Sequence, residues 1–374
     1  MKKKILICLF VLSITLPNLL FWPFFAGQDS GTNEKRELAG FPEINLTSLT
    51  DFPSGFEEYY NDHLPFKSFF VSLNNKIEMN VFRNTSVESV KIGKDKWLFY
   101  LISKEGENSL ADYQKTNIYS EEQCEDIAHR LERAGRFFKE QGAEQFHYYV
   151  APSKESIYDD YMPANIRTSK EEKSRIQVFA EYMKENDRSD FTYLYDELKE
   201  ASERHQVYFK YDTHLNNIGA FVISQRMSED VLGKSVPENQ VSIEKYGIFV
   251  GDLGEMISQE ASLQDDCDYA ILNYYPDTEA EIVQRVAQGE EMFQEIRTNS
   301  DNHRTLMLIG DSYRLREEPF FEGLYDRIIS VHIDAFEPEM VTEYRPDDVI
   351  ILTVERNQDY MEKIDEYLGV YDQK

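Results

Sequence analysis

The sequence predicts an α/β body of three layers, a mostly parallel sheet with helices on both faces, and three observations predict it. Helix-periodic and strand-like segments alternate through most of the 374 residues, the pattern that builds parallel sheets through crossover connections. The apolar run Thr305–Ile309 breaks sharply at Gly310-Asp311-Ser312-Tyr313, as a buried strand does on leaving the carboxyl edge of a sheet. Aromatic residues make up 13% of the chain, enough apolar surface for a large core.

Residues 1–26 read as a targeting element. Lys2, Lys3 and Lys4 precede a run from Ile5 to Ala26 that carries no charge, longer than a typical signal-peptide core and close to bilayer-spanning length, though Pro17, Asn18 and Pro23 interrupt it. Phe24-Phe25-Ala26-Gly27 lacks the small residues of a cleavage site, and Cys8 is too early for a lipoprotein cysteine. An uncleaved, single-pass N-terminal transmembrane helix is therefore expected in preference to a cleaved signal. The lysines before it place the body outside the cytoplasm.

Residues 27–53 read as a polar stalk and extended lead-in, and the body as residues 54–374. Residues 54–85 look helical, with Phe56, Tyr59, Tyr60, Phe69, Phe70 and Leu73 roughly on one side. Residues 120–141 read as an amphipathic helix, because Ile127, Leu131, Ala134 and Phe138 recur at helical spacing. Gln145 to Ala151 reads as a strand, Glu171 to Glu185 as a helix, Phe191 to Tyr195 as a strand and Asn217 to Leu232 as a helix. After the Gly310 turn come strands over Arg327–Ile333 and Asp348–Val354, then a helix through Tyr367. Residues 235–300 are acidic and weakly periodic, which suggests an inserted lobe over the cleft.

Lys and Arg number 40 against 69 Asp and Glu, a net charge of −29. Such a surface repels nucleic acid and anionic headgroups, so neither is an expected partner. It would repel anionic polymers too unless the cleft is locally basic. Three cysteines make no disulfide framework. Cys124 and Cys267 either pair or remain two buried thiols, and the second is expected. No Cys/His spacing suggests zinc and no glycine-rich loop a nucleotide, so no metal or cofactor is expected. His63 beside Asp62 invites a metal or second-base reading, against a local loop closure, which is the commoner use of such pairs.

Two strings carry the chemistry. Asp212-Thr213-His214 and Gly310-Asp311-Ser312 together supply an acid, a base and a nucleophile. A serine hydroxyl attacks well only when a histidine takes its proton, and that histidine needs a carboxylate to fix its tautomer. The blander readings are a helix cap for Asp212, since an apolar-periodic helix opens at Asn217, and a polar turn residue for Ser312.

The surroundings of both strings resemble the alginate O-acetyltransferase family of the AlgJ and AlgX type. Glu37-Leu38-Ala39-Gly40-Phe41-Pro42, Phe56 to Lys67, Ile92 to Tyr100, Val150-Ala151-Pro152-Ser153-Lys154, Tyr211 to Asn216, Gly310 to Tyr313 and Val354-Glu355-Arg356-Asn357 match that family's motifs in order, from about residue 36 to 357. The resemblance implies an SGNH-hydrolase-like domain with Ser312 as nucleophile, His214 as general base and Asp212 as its orienter. It also places Lys154 at the active-site rim, where a cation could bind an acyl or sugar oxygen. Arg356, ending another strand on the same edge, could hydrogen-bond a polar substrate, and Tyr313 and Asn216 are pocket candidates. A surface lysine and a salt-bridged arginine are the plainer roles for Lys154 and Arg356. Leu215 stands where the family has tryptophan, so the wall beside the imidazole is altered.

The implied activity is O-acetyl transfer, through a serine acyl-enzyme, onto hydroxyls of a cell-surface polysaccharide. The implied partner is a membrane-bound O-acyltransferase that supplies acyl groups. A carbohydrate esterase using the same triad and a non-catalytic glycan-binding scaffold are the alternatives.

Overall fold

The computed structural model describes residues 2–20, 39–42, 52–63, 73–74, 76–78, 84–85, 87–104, 107–169, 173–245, 251–257, 270–274, 279–285 and 292–370. The chain divides into two compact units, Met1–Ser86 and Val87–Lys374.

The first unit holds α1 (Lys2–Leu20) and α2 (Phe52–Asp62). Among the described residues no helix is long and apolar enough to cross a membrane. The uncharged part of α1, residues 5–20, rises only about 24 Å at about 1.5 Å per residue, short of a hydrocarbon core of roughly 30 Å. The expected transmembrane helix therefore finds no support among the described residues, and residues 21–26 of the expected run lie outside them. Phe41 meets Phe52, Phe56 and Tyr59 edge-on at 6.3, 6.2 and 5.2 Å. His63 closes the end of α2 locally, its Nδ1 2.8 Å from the Tyr59 carbonyl and its ring stacked on that tyrosine.

The second unit is built on a seven-stranded sheet. Its strands are β3 (Gln145–Ala151), β4 (Phe191–Tyr193), β7 (Ala280–Arg285), β8 (Phe293–Thr298), β9 (Thr305–Gly310), β10 (Arg327–His332) and β11 (Asp348–Val354), in the order β4-β3-β11-β9-β10-β8-β7. The first five run parallel, β8 runs antiparallel to β10, and β7 pairs antiparallel with β8 and so returns to the direction of the first five, so the sheet is mixed. Part of the expected lobe over 235–300 thereby becomes the margin of the main sheet. Ala280–Arg285 and Phe293–Thr298 are polar-rich without strict alternation, and a bulge between Ile282 and Gln284 interrupts the outer pairing. Two smaller antiparallel pairs, β1 (Val90–Ile92) with β2 (Leu98–Tyr100) and β5 (Val241–Lys245) with β6 (Ala270–Tyr274), complete the strands among the described residues.

Side chains alternate across the sheet into two cores, which makes the body three-layered. Leu306, Leu308, Ile350 and Leu352 pack on one face, with α7 (Tyr195–Ser202), α8 (Asn217–Leu232) and α10 (Arg314–Phe321). Met307, Ile309, Val349 and Ile351 pack on the other, with α4 (Glu121–Glu140), α6 (Arg175–Glu185) and α13 (Ile364–Tyr367). The remaining short helices are α3 (Ser109–Gln114), α5 (Lys154–Ile157), α9 (Asp252–Met256), α11 (Glu339–Tyr344) and α12 (Gln358–Glu362).

A capping box between Ser120 and Gln123 starts α4. Its buried face, Ile127, Leu131, Ala134 and Phe138, is the expected stripe. Cys124 on that face is a free, buried thiol; Cys267 lies outside the described residues. The strand expected to reach Tyr195 stops at Tyr193, where the chain turns into α7.

Gly310 lies where β9 leaves the sheet, against the neighbouring strand. A Cβ there would stand 2.0 Å from the Leu352 carbonyl oxygen, so only glycine lets β9 and β11 stay paired to the edge. Gly310→Ala is expected to destabilise the body by about 2–3 kcal/mol through overpacking, read as a lower urea midpoint at unchanged slope.

Candidate active site

Two turns at the carboxyl edge of the sheet carry the site. The first follows Gly310. Asp311 ties it to the neighbouring strand, its Oδ2 accepting from the Val354 N–H at 2.8 Å and the Asn357 amide at 3.0 Å, and its Oδ1 from the Tyr313 N–H at 3.0 Å. Ser312 is thereby presented at the start of α10, half-buried.

The second turn runs from Phe209 to Asn216, and Lys154 holds it. The Lys154 side chain is 3% exposed. Its Nζ donates to the carbonyls of Phe209, Lys210 and Asp212 at 3.3, 3.2 and 2.7 Å and lies over the Trp97 and Phe99 rings. Asn216 caps α8, its Oδ1 accepting from the Ile218 and Gly219 N–H groups at 3.0 Å each. Tyr313 joins the two turns, donating its hydroxyl to the Thr213 carbonyl at 2.7 Å.

Between these supports three side chains meet. His214 Nδ1–H donates to Asp212 Oδ1 at 2.7 Å, which leaves Nε2 to accept from the Ser312 hydroxyl at 2.9 Å. Asp212 Oδ1 also accepts the His214 backbone N–H at 2.7 Å, and Oδ2 the Asp252 N–H at 3.0 Å. Burial pushes the Asp212 carboxyl up, but the hydrogen bonds and positive charge of His214 outweigh it and hold the group below the usual range. Asp212 is thus ionised wherever His214 works as a base. His214 is 21% exposed at its side chain, and the Tyr313 ring lies 5.5 Å away. Each neighbouring pair of these three side chains is within hydrogen-bond reach, an arrangement with the geometry acyl transfer would need.

Asp212, His214 and Ser312 therefore come together as expected, while the expected rim residues do not. Lys154 turns inward as a clamp on backbone carbonyls. Asn216 is 2% exposed and spent on a helix cap, and Tyr313, 1% exposed, is a strut. Arg356 alone stays half-exposed, its guanidinium 5.5 Å over the Tyr313 ring. Leu215 is buried in the core beneath the turn. Glu355, beside Arg356 in the chain, also points inward, accepting from the Ser153 N–H and the Ser156 and Tyr193 hydroxyls.

Asp252 was not anticipated. Its carboxylate accepts from the Thr213 N–H at 2.8 Å and the Thr213 hydroxyl at 2.5 Å. The preceding Gly251 makes the approach possible, since a Cβ there would stand 2.1 Å from the Tyr211 carbonyl oxygen. The available signal was Gly251-Asp252, a second Gly-Asp pair. Asp212, His214 and Asp252 offer ligand atoms within 4.8 Å of one another, but the hydrogen bonds just described already engage all three. The set reads as a bonded turn.

The family model for SGNH hydrolase-like domains of the acetyltransferase AlgX type matches residues 90–330. No curated protein matches the chain in sequence. A DHHW family protein from Eubacterium siraeum is similar at 18% identity over 73% of this chain and 93% of its own, with a TM-score of 0.50. Bacillus cereus PatB1, solved with a sulfonyl adduct, is similar at 14% identity over 74% and 99%, with a TM-score of 0.51. At these identities the two structures share the fold.

Behind the site, burial pushes the Glu155 carboxyl up to about 8, with the nearby Glu355 adding to it. A carboxyl raised on folding stabilises fully below its unfolded value, about 4.3. That contribution is lost as pH rises through 8. Glu155→Gln is expected to melt at the same temperature as the parent near pH 4 and at a higher one at pH 9, measured by thermal unfolding across pH.

Proposed function

The chain belongs to the family of SGNH hydrolase-like acetyltransferase domains of the AlgX type, and from that premise we propose that it O-acetylates a cell-surface polysaccharide through an acyl-enzyme on Ser312. The observation that carries this reading is the 2.9 Å contact between Ser312 Oγ and His214 Nε2, with Asp212 at 2.7 Å on the other ring nitrogen.

In the first half-reaction Ser312 Oγ attacks the acyl carbonyl carbon of the donor as its proton passes to His214 Nε2. Asp212 keeps Nδ1–H pointed at itself and stabilises the imidazolium. The oxyanion faces the backbone N–H of Ser312. Collapse breaks the bond to the donor's leaving oxygen, which takes the proton from His214 and departs. In the second, a sugar hydroxyl gives its proton to His214 as its oxygen attacks the acyl carbon. Collapse then returns the proton to Ser312 and releases the acetylated sugar. Arg356, the one expected rim residue that stays half-exposed, binds polar groups of the acceptor in this reading, since its planar fork suits paired oxygens.

The three lysines and uncharged run at the N-terminus support a body held at the outer face of a membrane. There, a membrane-bound O-acyltransferase partner would deliver acyl groups.

The test uses the full chain with p-nitrophenyl acetate and an oligosaccharide acceptor. Ser312→Ala is expected to lose nitrophenol release by about a thousandfold or more. The parent should gain one acetyl group by intact mass and pass it to sugar. Release that depends on Ser312 but ignores the sugar would make the protein an esterase, and release unaffected by Ser312→Ala would end the catalytic reading.

A further inference from the structure

The geometry points to Asp252 as a fourth, positioning member of the catalytic group, a second carboxylate that fixes the base turn and supports the charge formed on His214. This rests on the acyl-transfer reading above.

Asp252 contacts the turn in three ways. Its backbone N–H holds Asp212 Oδ2 at 3.0 Å, its Oδ1 holds the Thr213 N–H at 2.8 Å, and its Oδ2 holds the Thr213 hydroxyl at 2.5 Å. Oδ2 also lies 3.6 Å from His214 Nδ1. Asp212 thus has one oxygen for the imidazole and the other tied back by residue 252, so it cannot rotate away from His214 without losing a bond. When Ser312 passes its proton to His214, the imidazolium meets two carboxylates, one bonded and one a van der Waals step further. Charged neighbours of the two turns among the described residues include Arg356, over the Tyr313 ring, Lys154, behind the Asp212 carbonyl, Lys210, over the Tyr211 ring, and Asp311, bonded to the Tyr313 N–H.

The segment bearing Asp252 is seated firmly enough for this role. Gly251 lies flat against Tyr211 with no room for a side chain, the Gly254 N–H donates to the Tyr211 carbonyl at 3.2 Å, and Leu253 and Ile257 are buried in the body. Among the described contacts of Asp252 none is with the Ser312 hydroxyl, which bonds His214 Nε2 on the far side of the ring. Removal of Asp252 should therefore act on rate and leave substrate affinity alone.

The test compares the full-length parent, Asp252→Asn, Thr213→Val and Ser312→Ala, with p-nitrophenyl acetate as probe and melting temperature as the check on folding. Asp252→Asn keeps an acceptor for Thr213 and removes the charge. It is expected to lower kcat about tenfold with KM unchanged and little change in melting temperature. Thr213→Val keeps the carboxylate and removes the hydroxyl between it and the turn, and is expected to lower kcat about threefold. If Asp252→Asn proves unstable, Thr213→Val decides: an unchanged kcat overturns the inference. A folded Asp252→Asn protein within twofold of the parent, or one changed only in KM, overturns it as well. With Ser312→Ala inert, either result leaves the acyl-enzyme reading standing. Ser312→Ala as fast as the parent overturns both.

Discussion

The buried ammonium of Lys154 is the interaction on which the site depends. The turn from Phe209 to Asn216 has almost no sheet ladder of its own, so its carbonyls need another donor. Three of them converge on one side chain, and two aromatic rings close over the cation. A buried polar group is costly unless it is fully bonded. The same cost that would expel a loose lysine locks this one in place and fixes the backbone that carries Asp212 and His214. The opposite half of the site is rigid for a different reason, the parallel pairing of β9 with β11 and the Asp311 bonds across it. Tyr313 couples the halves, so the distance between Ser312 and His214 is set by two independent supports and one strut.

Much of this was legible in the sequence, and the legible part has a physical limit. Asp212, His214 and Ser312 could be found because each sits in a short string whose local geometry is self-determined, a two-residue spacing or a strand-to-turn break. The central strands were readable because residues buried on both faces are apolar throughout. β7 and β8 were not, since polar-rich strands at a sheet margin carry no such run. Lys154, Asn216 and Tyr313 were placed at the correct edge but assigned to substrate. Position along a strand says which edge a residue reaches; whether its side chain turns toward the cleft or into the protein depends on acceptors that only the fold assembles. Asp252 shows the limit most clearly, because its partner Thr213 is 39 residues away and the intervening sequence has no period to register them.

The acidic character of the chain also looks different from inside. The net charge of −29 is a sum over the whole chain, whereas the supports of the site are buried charged groups of both signs bonded to neutral partners. Lys154 lies behind Asp212, Arg314 donates to the Asp311 carbonyl, and Glu355 accepts three hydrogen bonds beside Ser153. Acidity overall therefore says little about the field at Ser312, which the few charged groups and fixed dipoles nearest it set.

The stacking of Trp97 near the clamp has an optical consequence. The chain has two tryptophans, Trp22 and Trp97, and only Trp97 belongs to the unit that carries the site. Its indole lies 5.8 Å from the Lys154 ammonium and 4.4 Å from the Tyr158 ring. Its emission is therefore an intrinsic reporter of the clamp, and a fragment beginning at Val87 would carry that fluorophore alone, with no label to attach.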